Sequence, residues 1–599
     1  MRILLTLVLF CVGFTLSAQN ARLAQQYFKD GEYEKAAVLY EQLFEQNENN
    51  DFYFDRYIDC LLTLEKFEDA EKAIKRQLRR TPKDVKLYVT YGKLFERQVR
   101  DKEANEQYRN AIENMPKDQF AITKLANAFI RLTKYDLAIE TYEKGTKLIK
   151  NDAVFAYNLG DLYRRKGDTP KMIEYYLNSL EADPRRLNSL KTTFQRFLLS
   201  EDYQELQTQL YARIQENEND TVFPEMLTWV FIQRKDYKNA FRQVRALDRR
   251  LKENGGRIFR LAEIAANDKD YDAAIEAFNY LVEEKGIGSP FYVDAKREAL
   301  RAKRNQLVEG YDFSTEELKT LESEYEAFLN EFGRAGNTAS IVLELADLEA
   351  FYLNDLDRAI ELLDEMVKYP GINKNIQAYG KLNLADFYLM KGERWEATLL
   401  YSQVDKDFKE DILGHEARFR NAKLSYYMGD FEWAQAQFDI LKASTSKLIA
   451  NDALDLSVFI MDHLGLDTTA TPLEWYATAD LLVFQNRFDE AFQKVDSLMA
   501  AFPEHALEDD VLYLKSKVYR KKREYERAAE ILQKIIDNYP ESIRADNAIF
   551  QLAGLYENHL DDLEKAQALY ETLFIDYSGS TFAVEARKKY RELRGDEVQ

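Results

Sequence analysis

Chemistry needs particular side chains at particular spacings, and few places in this sequence supply them. Four histidines occur in 599 residues, His415, His463, His505 and His559. None stands three or four residues from another, the interval that puts two imidazoles on one helix turn for a zinc ion, and each reads as a surface or loop residue. There is no glycine-rich phosphate loop, no serine flanked by glycines at a tight turn, and no cysteine pair. Gly333 and Gly336 beside Arg334 read as a turn and nothing more. With 104 acidic residues every carboxylate spacing occurs by composition alone, so no pair is singled out for acid–base work. The reading is a non-enzyme with no metal and no cofactor. One periodic set remains: Arg97, Arg131 and Arg165, 34 residues apart, with Lys93, Asn127 and Asp161 four residues before each. A guanidinium fork holds a carboxylate or a carbonyl through paired N–H bonds, which ammonium groups do not reproduce.

The elements that would position such a set are helices. Only 22 Gly and 10 Pro are present, well under the usual ~7% and ~5%, so long helices joined by short turns are expected. Aromatics recur at a fixed interval. Starting from Gly31, Glu32, Tyr33, the aromatic returns as Phe67, Tyr135, Tyr203, Tyr237 and Tyr271, all at multiples of 34, with Asp101 and Thr169 in the two skipped places. Three residues on lie Ala36, Ala70, Ala104, Ala138, Ala240 and Ala274, with Met172 and Leu206 as larger exceptions.

One unit carries Leu159, Gly160, Tyr163, Met172, Tyr176 and Pro184, and another Gly92, Phe95, Ala104, Tyr108, Ala111 and Pro116. On these residues the chain resembles the tetratricopeptide repeat family, whose unit is a 34-residue helix–turn–helix. Small residues let the paired helices approach, aromatics fill the space between pairs, and Pro stops the second helix. No unit has the family's early Trp. The resemblance implies an all-α fold, a right-handed superhelical solenoid of antiparallel helix pairs in two arrays. It implies too that first helices line a concave face, where equivalent positions stack into stripes. Lys93, Arg97, Asn127, Arg131, Asp161 and Arg165 then become candidate groove residues, with Tyr157 and Trp229 as aromatic surface nearby. A second reading stays open, in which the three arginines serve the carbonyls and dipoles of their own helix ends. The family's peptide clamp of paired Lys and Asn is not reproduced.

Register breaks after Leu281. Residues 286–337 read as a helical joint, with a basic helix from Val293 to Gln306 and another from Thr315 to about Phe332. Repeats resume with Ala359, Ala397 and Ala434, then Ala491, Ala528 and Ala566, 37 or 38 apart inside each triplet. The interval of 57 between Ala434 and Ala491 implies an inserted or lengthened helix around Leu448 to Leu464. This later grammar, with Tyr539, Pro540 and Ser542, resembles BamD-like and Tol-associated periplasmic repeat proteins and carries no functional residue with it. The expected organisation is a leader at 1–18, about eight 34-residue repeats over 19–285, the joint over 286–337, an array of 37/38-residue repeats with one insertion over 338–590, and a tail at 591–599.

Arg2, the apolar run Ile3 to Phe14, and Leu16, Ser17, Ala18 have the build of a secretory leader cut before Gln19. That run falls short of the ~20 residues that span a bilayer, so no transmembrane segment is expected. The expectation is an exported, periplasmic protein, associated with the outer membrane only through partners. Without Cys11 of the leader, Cys60 has no disulfide partner and reads as a small buried apolar residue. Residues 21–310 carry a net charge of +1 and residues 311–599 a net charge of −23. The acidic half repels phosphate backbones, so nucleic acid is excluded as a partner. The expected function is a scaffold or adaptor for protein–protein interactions, the alternative a groove that takes an extended acidic peptide or glycan.

Overall fold

In the computed structural model, residues 19–596 are described, apart from 48–49, 218, 311–312, 445–446 and 465–468. Helix accounts for nearly all the regular structure, and no strand occurs among the described residues. The chain divides into two compact units, residues 1–295 and 296–599. The leader assigned to 1–18 lies outside the described residues.

In the first unit the second helix of each pair begins on the repeating position: Tyr33–Gln46, Phe67–Arg80, Asp101–Glu113, Tyr135–Ile149, Thr169–Ala182, Tyr237–Leu251 and Tyr271–Tyr280. The seventh unit differs by one residue, Asp202–Glu216, so Tyr203 sits one place inside its helix. Two residues before these starts the backbone turns left-handed at Gly31, Glu65, Val99, Thr133, Gly167, Lys235 and Lys269. Such a residue ends one helix and redirects the chain into the next, and side chains other than glycine adopt it at a cost. The small residues Ala36, Ala70, Ala104, Ala138, Ala240 and Ala274 are fully or almost fully buried, as are Met172 and Leu206. Side-chain caps hold several entries: Asp118 accepts from Ala121 N at 2.7 Å, and Asp236 and Asp270 cap the helices that follow them.

The second unit repeats the device. Leu356–Met366, Arg394–Asp407, Phe431–Ser444, Phe488–Ala501, Tyr525–Asn538 and Leu563–Asp576 each carry their buried alanine three residues in, at 359, 397, 434, 491, 528 and 566. The same left-handed turn precedes them at Asn354, Gly392, Gly429, Asn486, Arg523 and Asp561. Tyr292–Gly310 and Thr315–Phe332 occupy the joint, the latter opened by a reciprocal cap in which Ser314 Oγ accepts from Glu317 N and Glu317 Oε2 from Ser314 N. Within each unit the core is a string of local clusters, because each helix packs chiefly on its neighbours in sequence. One departure matters: Ile412–Tyr427 packs directly on Thr471–Phe484, past the intervening helix Lys447–Leu464.

Candidate functional site

The first helices Asp51–Thr63, Lys86–Arg97 and Gln119–Arg131 enclose a cavity of about 470 Å3, floored by Val89, Ala128 and Leu132 and rimmed by charge. Ion pairs in and around it link the three helices. Lys93 Nζ lies 2.5 Å from Asp59 and Lys86 Nζ 2.6 Å from Asp55. Lys124 bridges Asp51 at 2.6 Å and Asp84 at 2.8 Å. Arg131 Nη1 approaches Asp55 at 3.6 Å, reaching past the middle helix. Burial raises the Asp55 carboxyl above the usual carboxylate range, with Lys86 opposing it. The four cations lining the cavity, Arg56, Lys86, Lys93 and Arg131, exceed its two carboxylates, Asp55 and Asp59.

Of the eight residues picked out by spacing, Lys93 and Arg131 line this cavity. Arg97 is exposed at the end of its helix with no hydrogen bond or ion pair among the described residues, and Asn127 is exposed one first helix further on. Arg165 instead binds Asp161 at 2.9 Å, four residues back on its own helix, and Arg164 holds the same carboxylate at 2.6 Å. Tyr157 packs on Tyr176 with the Arg186 guanidinium 4.9 Å from its ring, and Trp229 is half-buried against Tyr203. All three arginines fall in the last turn of their helices, where a cation meets the helix dipole. None of the three donates a hydrogen bond to a main-chain carbonyl among the described residues.

The second unit holds a denser polar site that spacing did not reveal. Helix Lys447–Leu464 lies against the first helices Ile412–Tyr427, Thr471–Phe484 and Glu508–Lys521. Phe459 is its anchor, with ring centroids 6.2 Å from Tyr426 and 5.1 Å from Tyr476, and with the Arg544 guanidinium at 5.1 Å. His463 Nε2 lies 3.0 Å from Asp510 Oδ2, whose other oxygen accepts from Arg544 Nε at 2.6 Å. Beside this helix opens a second cavity, about 320 Å3, lined by Lys423, Asp480, Lys517 and Arg544 among aromatic rings. Asp480 holds Lys517 at 3.3 Å; burial opposes its charge, but Lys517 and Lys423 keep its carboxyl below the usual range.

Two histidines depart from the surface assignment: His415 and His463 are 8% and 6% exposed, each inside a helix. An imidazole is large and apolar enough to be packed even where one nitrogen has no partner among the described residues, as at His463 Nδ1, and sequence spacing does not disclose it. Pairs such as Asp386–Arg420 and Asp510–Arg544 stand 34 residues apart, short of this unit's 37- or 38-residue repeat, so a search for opposite charges one repeat apart passes over them. Cys60 is fully buried and unbridged, and burial followed by Asp59 pushes its thiol up to about 12. Among the described residues no group of three His, Cys, Asp or Glu could hold a metal ion, and no helix is long and apolar enough to cross a membrane.

Tetratricopeptide repeat models match residues 121–152, 156–189 and 510–542, two repeats of the first unit and one of the second. No curated protein matches in sequence. Among solved structures, a chain of the Naa15/Naa10 complex bound to HypK-THB is similar over 97% of this chain and 96% of its own, at 15% identity and a TM-score of 0.25. A tetratricopeptide repeat protein from Parabacteroides merdae covers 47% of this chain and 91% of its own at 13% identity and a TM-score of 0.28. Yeast Tom70 covers 97% and 96% at 13% identity and a TM-score of 0.22. The superpositions are loose, and the likeness to tetratricopeptide repeats rests on the matched segments and the register of helix starts. Three segments of the chain are thus similar to tetratricopeptide repeats, and they fall on helix pairs of both units.

Proposed function

We propose that this protein is a non-catalytic scaffold that gathers protein partners in the cell envelope after export, with the first-unit groove as one docking surface. The observation that carries the reading is the cavity between Asp51–Thr63, Lys86–Arg97 and Gln119–Arg131, open, apolar at its floor and richer in cations than in carboxylates. Such a surface suits an extended acidic segment of a partner: Arg131, which is exposed, exchanges its present carboxylate for the ligand's at little net cost, since exposed ion pairs contribute only ~0–1 kcal/mol each, and the half-buried Lys93 stands in the same cavity on Asp59. Arg97, at the helix end and without a hydrogen bond or ion pair among the described residues, extends the row. The leader-like residues 1–18 support the export part of the reading.

The test is recovery of crosslinked partners from intact cells with the wild-type chain, Arg131→Glu, and the triple Glu variant at 97, 131 and 165. Partner proteins recovered by the wild type and lost progressively along the series support the reading. Recovery that is unaltered across the series overturns the groove assignment. A bound peptide or glycan in the purified chain with no protein partner in the crosslinked sample replaces the scaffold by a ligand-binding module.

A further inference from the structure

The cavity beside helix Lys447–Leu464 is unevenly satisfied. Asp480 already holds Lys517, and Asp510 already holds Arg544. Lys423 has no such partner: its ammonium makes no hydrogen bond or ion pair among the described residues and stands 5.6 Å from the Tyr427 ring. Burial first, then the nearby Lys517 charge, pull its pKa below the ordinary lysine range. The Tyr426 side chain also lines the cavity; it is fully buried and its hydroxyl has no hydrogen-bond partner among the described residues. A phenol held out of water without an acceptor, beside a half-buried ammonium that no carboxylate holds among the described residues, costs free energy that a bound acceptor would return.

A complementary group stands at the cavity's rim. Asp452 is exposed and makes no hydrogen bond among the described residues, while Asp455 leans on Arg544 at 3.8 Å. Burial, and then the repulsion of Asp455, raise the Asp452 carboxyl, so a cation placed there is favoured. Between the two poles the walls are aromatic: Phe419, Phe459, Tyr476 and Tyr513. The volume, about 320 Å3, falls at the small end of ordinary ligand sites.

We propose that this cavity binds a small zwitterion of amino-acid or dipeptide size with an aromatic or large apolar body, its carboxylate set against Lys423 and the Tyr426 hydroxyl and its ammonium on Asp452. A phosphate dianion would face Asp452, Asp455 and Asp480 together. A plain amine would leave Lys423 as unsatisfied as before, and the middle of a peptide chain carries neither charge.

Calorimetric titration of the full chain with phenylalanine, Gly-Phe and Phe-Gly tests this. At least one should saturate at one site, and its N-acetyl and C-terminal amide derivatives should bind at least ten-fold more weakly, since each deletes one pole. Lys423→Met and Asp452→Asn should each weaken that ligand ten-fold or more. Asp452 is exposed, so Asp452→Asn keeps the fold and serves if Lys423→Met does not. Absence of saturable binding by all three probes, or equal binding by the amide, or equal binding by Asp452→Asn, overturns the proposal.

Discussion

Gly160 lies beneath the ring of Tyr176, so close that a methyl group on its Cα would come within 2.6 Å of Tyr176 Cδ1. Tyr176 is fully buried and in edge contact with Phe194, so the ring has nowhere to retreat. Gly160→Ala gains about 1 kcal/mol of helix propensity but forces an overpacking cost of ~1 to 3 kcal/mol. The expected outcome is a net loss of stability in chemical denaturation. Gly554 supplies the control: it lies in Ala545–Asn558 with open space where its Cβ would be, so Gly554→Ala should stabilise by roughly 0.5–1 kcal/mol.

Ala138 is fully buried at the close approach of its helix pair. Ala138→Leu should destabilise by ~1 to 3 kcal/mol for the same overpacking reason, read as a lower denaturation midpoint.

Val99 and Thr133 hold the left-handed turn, at φ 60° and 57°, although both are branched at Cβ. That conformation costs a branched residue about 1–2 kcal/mol, and glycine escapes the strain while losing some unfolded-state restriction. Val99→Gly is expected to raise the melting temperature, an outcome peculiar to this site because a glycine introduced inside a helix would lower it. Val99 is 84% exposed, so little packing is lost with its side chain.

Glu349 is 3% exposed, and burial, then Glu322, raise its pKa from 4.5 to about 7. The folded state keeps this proton where the unfolded chain has released it, so stability falls as pH rises from 4.5 towards 7 and stays reduced above that. Glu349→Gln should therefore gain up to about 3 kcal/mol near pH 8 and far less near pH 5. Melting curves of both proteins at the two pH values check it; an equal gain at both would place the effect in packing.

Arg131 is 74% exposed and, among the described residues, its one ion pair is with Asp55 at 3.6 Å and it donates to no carbonyl. Arg131→Glu is expected to change stability by less than about 1 kcal/mol. A larger fall in melting temperature would restore the helix-end role that its position in the last turn allows.

Periodicity alone made the repeats legible, because the helix pair demands a small residue wherever the two backbones meet, and this demand recurs with every copy. The alanines from 36 to 566, the helix starts, and the extra helix at 447–464 all follow from that local requirement. The groove row at 93, 97, 127, 131, 161 and 165 was legible as a row. Which members meet in one cavity was not, since a side chain's partner depends on how far each pair rotates past the last. Arg131 turns towards Asp55 two first helices back, while Arg165, one repeat on, turns to Asp161 on its own helix. The second cavity was invisible for a further reason. Lys423 and Asp480 stand 57 residues apart, the same interval as Ala434 and Ala491, but Asp452 and Arg544 come from segments outside that row, and only the packing of an inserted helix against its neighbours decides that the four surround one volume.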